Sequence, residues 1–172
     1  MNQFKFLKNK NNFLGIKNSN EAASKVYVVP YGLEKTVSYG TGTSLGPEKI
    51  LKASRQIELY DIELGIEPSA ILSPKTLEVK EIPSSHVSAL IKLQNIVKLI
   101  VGCKKFPIVI GGEHSITPAC IKPLLEKSKS LTIVQFDAHA DLRDKYQGKK
   151  NSHACSMRRC LDNKNLNLIS IG

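Results

Sequence analysis

Hydrophobic positions in this chain follow two rhythms, short unbroken runs and longer stretches with helical spacing, and the two alternate. Unbroken runs bounded by turn residues read as strands buried on both faces, whereas apolar residues at i, i+3, i+4 and i+7 read as one face of a helix. Val26-Tyr-Val-Val29 is the first strand. Gly32 to Gly46 is a long loop rich in Gly, Thr and Ser; its amides and hydroxyls could line a pocket, although by composition alone it is a plain surface loop. Gly46-Pro47 starts a helix with proline in its first turn, and Ile50, Leu51 and Ile57 form its predicted buried stripe. Leu59 to Pro83 reads as irregular, with one short strand near Leu77–Ile82. Ser84 or Ser85 then caps an amphipathic helix with Val87, Leu90, Ile91, Val97, Ile100 and Val101 on its predicted inner face, and Gly102 ends it. Phe106 to Ile110 is a buried strand, Thr117-Pro118 opens a helix to about Lys127, and Leu131 to Phe136 is the next strand. A loop containing Lys145 to Asn151, a short helix around Ala154–Leu161 and a strand from Leu166 to Ile171 complete the pattern.

Strands alternating with helices predict an α/β fold of three layers, α/β/α, around a mostly parallel sheet. Residues 1–24 stand apart: they are rich in Asn and Lys, with a short apolar island at Phe13-Leu-Gly-Ile16, and read as a loosely held basic arm docked through that island. Residues 25–172 form the domain, and 172 residues suffice for one core. The net charge of +10 suggests an anionic partner until its location is considered. Within the first 25 residues Lys5, Lys8, Lys10, Lys17 and Lys25 face only Glu21, and the remaining excess is scattered among acids. With no arginine-rich stripe and no aromatic stacking platform, nucleic-acid binding is not expected. No apolar stretch approaches membrane-spanning length and there is no secretory h-region, so the expectation is a soluble cytoplasmic protein without a membrane partner. Cys103, Cys120, Cys155 and Cys160 make no CxxC and read as free thiols; Cys155, Cys160 and His153 have poor spacing for zinc and lack a fourth ligand.

The candidate chemistry lies directly behind the Leu131–Phe136 run, where the chain reads Asp137-Ala-His-Ala-Asp141. If extended geometry continues through this segment, Asp137, His139 and Asp141 point the same way. Two carboxylates and an imidazole disfavour a thiolate-type zinc site and fit Mn²⁺ best, with Fe²⁺, Co²⁺ and Zn²⁺ as alternatives. In open α/β sheets ligands bind beyond the carboxyl ends of strands. His114 follows the strand ending at Ile110 through Gly111-Gly112, a pair that permits a sharp turn and close approach, and His153 lies in the polar loop after Asp141. His86, early on the amphipathic helix, reads as structural or solvated.

Gly111-Gly-Glu-His-Ser115 together with Phe136-Asp-Ala-His-Ala-Asp141 resembles the ureohydrolase family of arginases and agmatinases. Tyr39-Gly-Thr-Gly-Thr-Ser-Leu-Gly-Pro47 and Ser152-His-Ala154 are most similar to the agmatinase branch, and the resemblance covers roughly residues 26 to 172. It implies an arginase-like fold and a binuclear manganese centre. Asp137 would bridge the two Mn²⁺ ions, His114 and Asp141 would hold one and His139 the other, with His153 as proton shuttle or general acid. The implied reaction is hydrolysis of a guanidino C–N bond, agmatine plus water giving putrescine and urea, with arginine, guanidinobutyrate and formimidoylglutamate as alternative substrates. A homo-oligomer is implied for the full-length enzyme. The family also carries a later Ser-x-Asp-x-Asp motif that completes the ligand set. No such motif is present, and the only acid after Asp144 is Asp162. The expectation is therefore an N-terminal part of the enzyme, with the C-terminal part of the sheet missing and no activity alone. A non-catalytic remnant with weak metal binding and a basic binding module are the competing readings.

Overall fold

The computed structural model describes residues 4–17 and 20–172; residues 1–3 and 18–19 of the basic arm lie outside the described residues. Among the described residues, strands and α-helices follow one another as β1 (Val26–Tyr31), α1 (Gly46–Ala53), α2 (Pro68–Leu72), β2 (Lys75–Thr76), α3 (His86–Gly102), β3 (Phe106–Gly111), α4 (Thr117–Leu125), β4 (Leu131–Phe136), α5 (Ser156–Leu161) and β5 (Leu166–Ile171). Every pairing between strands is parallel. The order is β2-β1-β3 in one sheet and β4-β5 in a second.

β1 shows why the alternation is α/β. Its odd positions Tyr27, Val29 and Tyr31 pack on Ala89, Leu93, Val97 and Ile100 of α3 and Ala119 of α4. Its even positions Val26 and Val28 pack on Leu51 of α1, with Leu7 and Phe13 alongside. A strand covered on both faces must be apolar at every position, so its sequence is an unbroken run. The Tyr31 hydroxyl donates to the Ala89 carbonyl at 2.6 Å, satisfying the polar tip of a buried ring. A third cluster covers one face of β4-β5 with Met157 and Cys160 of α5 and Ile121 and Leu125 of α4.

Several elements depart from the sequence expectation. The strand near Leu77–Ile82 is instead the two-residue β2, at Lys75–Thr76; Leu77, just past it, forms an antiparallel bridge with Phe6 and donates its amide to the Val28 carbonyl at 2.8 Å. In α1 the buried residues are Pro47 and Leu51, while Ile50 is exposed; Ile57 lies beyond the end of the helix and is exposed as well. α3 turns Ala89, Leu93, Val97 and Ile100 inward, leaving Val87 and Ile91 exposed. Phe106 of β3 is 66% exposed, so this strand is not buried on both faces. Ile108 beside it, Val134 and Phe136 of β4, and Ile169 and Ile171 of β5 are exposed as well. Among the described residues the two parallel sheets are not hydrogen-bonded to each other.

The described part of the arm is stitched to the sheet. Leu7 donates its amide to the Thr76 carbonyl at 2.8 Å, and the Phe13 amide reaches the Thr76 hydroxyl at 2.8 Å. Asn12, fully buried, accepts from the Thr76 amide and hydroxyl and donates to the Pro74 carbonyl. Among the described residues no helix is long and apolar enough to cross a membrane.

Candidate metal centre

The carboxyl ends of β3 and β4 converge although the strands do not pair. After β3 the chain runs through Gly111-Gly112, where a Cβ on Gly112 would collide with the Leu33 carbonyl. Only glycine permits that approach. The Gly112 and Glu113 amides donate to the Tyr31 and Leu33 carbonyls at 3.2 and 2.9 Å, so the turn is fixed against the end of β1. It delivers His114 toward the segment behind β4.

There the backbone turns rather than staying extended. The Asp137 Oδ1 accepts the His139 amide at 2.9 Å, an Asx turn, and Asp141 adopts φ +49°. A left-handed residue other than glycine costs on the order of 1 kcal/mol, and Asp tolerates it better than most. The first amides of α5 hold it there: Met157 and Arg158 donate to the Asp141 carbonyl at 3.1 and 3.2 Å. Gln135, buried within β4, donates to the His139 carbonyl at 2.9 Å and accepts from the Ser170 hydroxyl of β5 at 3.2 Å.

Because of the turn, the three expected period-two residues do not share one direction. Asp137 and Asp141 join His114 instead: their ligand atoms lie within 4.8 Å of one another. His114 Nδ1 is 2.6 Å from Asp141 Oδ2 and 3.6 Å from Asp137 Oδ2. His139 stands outside this group, its side chain 82% exposed, with Nδ1 3.3 Å from the other oxygen of Asp137. Asp137 thus faces His114 with one oxygen and His139 with the other. The His139 amide bond, aided by the His139 and Gln135 side chains and the His114 ring, holds the Asp137 carboxyl below the usual carboxylate range against a small burial effect. Two carboxylate oxygens and one imidazole nitrogen at this spacing suit a divalent ion with oxygen-nitrogen preference. Cys155 and Cys160 are buried free thiols and join no metal-binding group among the described residues.

His114, Asp137, His139 and Asp141 line an open cleft of about 860 Å³, which also receives Val37, Ser38, Arg143, Tyr146 and His153. His153 stands edge-on to the Tyr146 ring, centroids 5.6 Å apart. The loop from Gly32 to Gly46 is folded on itself by Glu34, whose carboxylate accepts the Gly42 and Ser44 amides, and it presents Val37 and Ser38 to the cleft.

Behind the cleft lies a polar cluster that sequence reasoning missed. Glu113, 4% exposed, accepts the Lys35 and Thr36 amides on Oε2, each at 2.6 Å. Its Oε1 accepts the Thr36 hydroxyl at 2.8 Å and the Ser115 hydroxyl at 2.5 Å. Burial alone pushes this carboxyl up, but the four hydrogen bonds outweigh it and leave the group below its ordinary value. Thr36 Oγ1 lies 3.3 Å from His153 Nδ1 and accepts the His153 amide at 3.0 Å. His86, half-buried, places Nε2 3.0 Å from the Ser115 hydroxyl, and burial lowers its pKa against the pull of Glu113. Glu113 sits inside the Gly111–Ser115 motif, so a signal was available; Thr36, one hydroxyl among many in its loop, gave none.

The model of the arginase family matches residues 24–172. The chain belongs to the arginase family. Among its relatives, an N(1)-aminopropylagmatine ureohydrolase of Synechocystis sp. is 39% identical over 147 residues, covering 82% of this chain and 48% of the relative. An agmatinase of Bacillus cereus is 32% identical over 142 residues, covering 81% and 48%. The agmatine ureohydrolase of Thermoplasma volcanium superposes with a TM-score of 0.73 at 25% identity, covering 98% of this chain and 62% of that one. The chain spans about half the length of the curated relatives it matches. The arginase-like α/β arrangement is therefore present in part: parallel strands with helices, and a cleft at the carboxyl ends of β3 and β4.

Proposed function

We propose that this arginase-family chain carries the N-terminal part of a manganese-dependent ureohydrolase acting on agmatine. The observation that supports this most is the convergence of His114, Asp137 and Asp141 at the ends of two strands that do not pair. His114, Asp137 and Asp141 would hold one Mn²⁺, and His139 with the second oxygen of Asp137 the other. When bound, the metal lowers the pKa of water for attack on a guanidinium carbon, a poor electrophile because its charge is spread over three nitrogens.

The chain's own residues supply the rest. The Asx turn orients Asp137, and the α5 amides fix Asp141 in its strained conformation. His153, in the same cleft, protonates the departing amine nitrogen, which is otherwise a poor leaving group. Loss of the amine as putrescine leaves urea. No Ser-x-Asp-x-Asp segment is present, so a second pair of carboxylates would have to complete the centre. With one bridging carboxylate, repulsion between two divalent ions is offset incompletely, and the isolated chain would not turn over.

Agmatine is favoured by the Tyr39–Pro47 and Ser152–Ala154 stretches and by the agmatinase relatives. N(1)-aminopropylagmatine is the second reading, on the strength of the relative from Synechocystis sp.. The test uses the longer protein containing this chain, loaded with Mn²⁺. Urea release is measured from agmatine, N(1)-aminopropylagmatine, arginine and guanidinobutyrate, and formamide release from formimidoylglutamate. Highest turnover with agmatine is expected; release from none of these would refute the proposal.

A further inference from the structure

Each hydrogen in the cluster behind the cleft can be assigned from donor and acceptor counts. A carboxylate only accepts, and a hydroxyl offers one hydrogen and two lone pairs. Glu113 Oε2 is occupied by two backbone N–H groups, which can only donate. Its Oε1 is 2.8 Å from the Thr36 oxygen, so a hydrogen must lie between them, and Thr36 supplies it. The Thr36 hydroxyl then has no hydrogen left. One of its lone pairs takes the His153 amide at 3.0 Å, and only a lone pair remains for His153 Nδ1 at 3.3 Å. Two lone pairs would repel, so Nδ1 must carry a hydrogen. Among the described residues the Ser152 hydroxyl, 3.4 Å from Nδ1, is the one competitor, and it would favour the opposite arrangement by donating.

We propose that Thr36 is a positioning residue that relays the direction of the Glu113 hydrogen bonds to His153, fixing its neutral ring as the Nδ1–H tautomer and leaving Nε2 as the only nitrogen free to exchange a proton. Free neutral histidine prefers the other tautomer, so the cluster inverts an intrinsic preference. The same counting assigns the opposite state to His86. Ser115 donates to Glu113 Oε1 and has a lone pair for His86 Nε2, which therefore bears the hydrogen. One buried carboxylate, acting through two hydroxyls, thus sets two histidines in opposite tautomers. The significance for proton transfer to a leaving amine rests on the proposed ureohydrolase function; the tautomer assignment does not.

The test is magic-angle-spinning NMR of the 172-residue chain labelled with ¹⁵N-histidine, metal-free, at about pH 8.5, above the ordinary histidine range. It reads ring nitrogens whether or not the chain self-associates, and His153→Gln and His86→Gln spectra assign the two signals by difference. The wild type is expected to show His153 protonated at Nδ1 and His86 at Nε2. Thr36→Val should shift His153 toward the Nε2–H form, and Thr36→Ser should restore Nδ1–H. Glu113→Gln is the sharpest variant. Its amide NH₂ would donate to both hydroxyls, freeing their hydrogens for the rings, so both histidines should switch tautomer. A wild-type His153 protonated at Nε2 would overturn the proposal, as would a Glu113→Gln chain in which His153 keeps Nδ1–H. Neither outcome depends on any hydrolytic activity, so failure here is distinguishable from failure of the proposed function.

Discussion

Glu113→Ala tests whether the cluster behind the cleft stabilises the fold. The substitution removes an acceptor for two backbone amides and two hydroxyls. The losses are unequal. Ser115 retains His86 Nε2 as a partner and Thr36 retains His153 Nδ1, so both hydroxyls can reorient. Lys35 is exposed as a residue, so its amide can regain water. The Thr36 amide is buried and has no alternative, and an orphaned buried donor costs about 1–3 kcal/mol. Adding the net loss of charge-assisted bonds, at about 1 kcal/mol, gives a destabilisation of roughly 2–4 kcal/mol. With a urea slope of about 2 kcal/mol/M, the midpoint should fall by about 1–2 M. Pulse proteolysis at sub-micromolar concentration is the assay, because dilution suppresses self-association. The pH dependence carries its own sign. The folded carboxyl titrates below its ordinary 4.5, so its contribution is complete above that value and fades as pH falls through the folded one. The gap between wild type and Glu113→Ala should therefore be constant from neutrality to about pH 5 and shrink under further acidification. A midpoint shift below about 0.3 M at pH 7, equal on this slope to well under 1 kcal/mol, would refute the reasoning.

Other outcomes follow from the same structure. On the proposed function, His153→Asn in a longer protein that carries the full ligand set should retain metal and lower turnover by roughly 10²–10⁴-fold, as expected for a general acid; loss of metal with an intact fold would make His153 a ligand instead. Leu93, fully buried between α3 and β1, should cost about 3–5 kcal/mol on Leu93→Ala, read by the same denaturation assay. The 172-residue chain alone should self-associate through its exposed Phe106, Val134, Phe136 and Ile171, seen by analytical ultracentrifugation, and release no urea from agmatine. A monomer that turns over agmatine would contradict both halves of that expectation.

Where one environment acts on a whole element, the sequence carried it plainly. β1 is covered on both faces, so every position is apolar and the run is unmistakable. α3 was legible as a helix and in part of its inner face: Val97 and Ile100 are buried and Leu90 and Val101 partly so, but Val87 and Ile91 stood in for Ala89 and Leu93, because apolar residues occur on several sides and spacing alone does not choose among them. The β1 and α4 contacts decide for Ala89, Leu93, Val97 and Ile100. β2 escaped because it is two polar residues, Lys75 and Thr76, with Asn12 and Phe6 of the arm meeting their side chains. In the candidate site, Asp137, Asp141 and His114 were singled out by motif and by their place at strand ends, but the period-two argument that Asp137, His139 and Asp141 point the same way failed at the Asx turn. Side-chain capping of a backbone amide is a local competition that strand periodicity does not represent. Thr36 was invisible because its role depends on a carboxylate distant in sequence.

The central claim is that His114, Asp137 and Asp141 form a metal-binding group, and Mn²⁺ titration followed by electron paramagnetic resonance tests it most directly. In the complete protein, the wild type is expected to deplete free Mn²⁺ signal with two ions bound per chain. Asp137→Ala, which removes the carboxylate facing both His114 and His139, should abolish that depletion while leaving the fold intact by circular dichroism. Unchanged manganese stoichiometry in a folded Asp137→Ala protein would contradict the account.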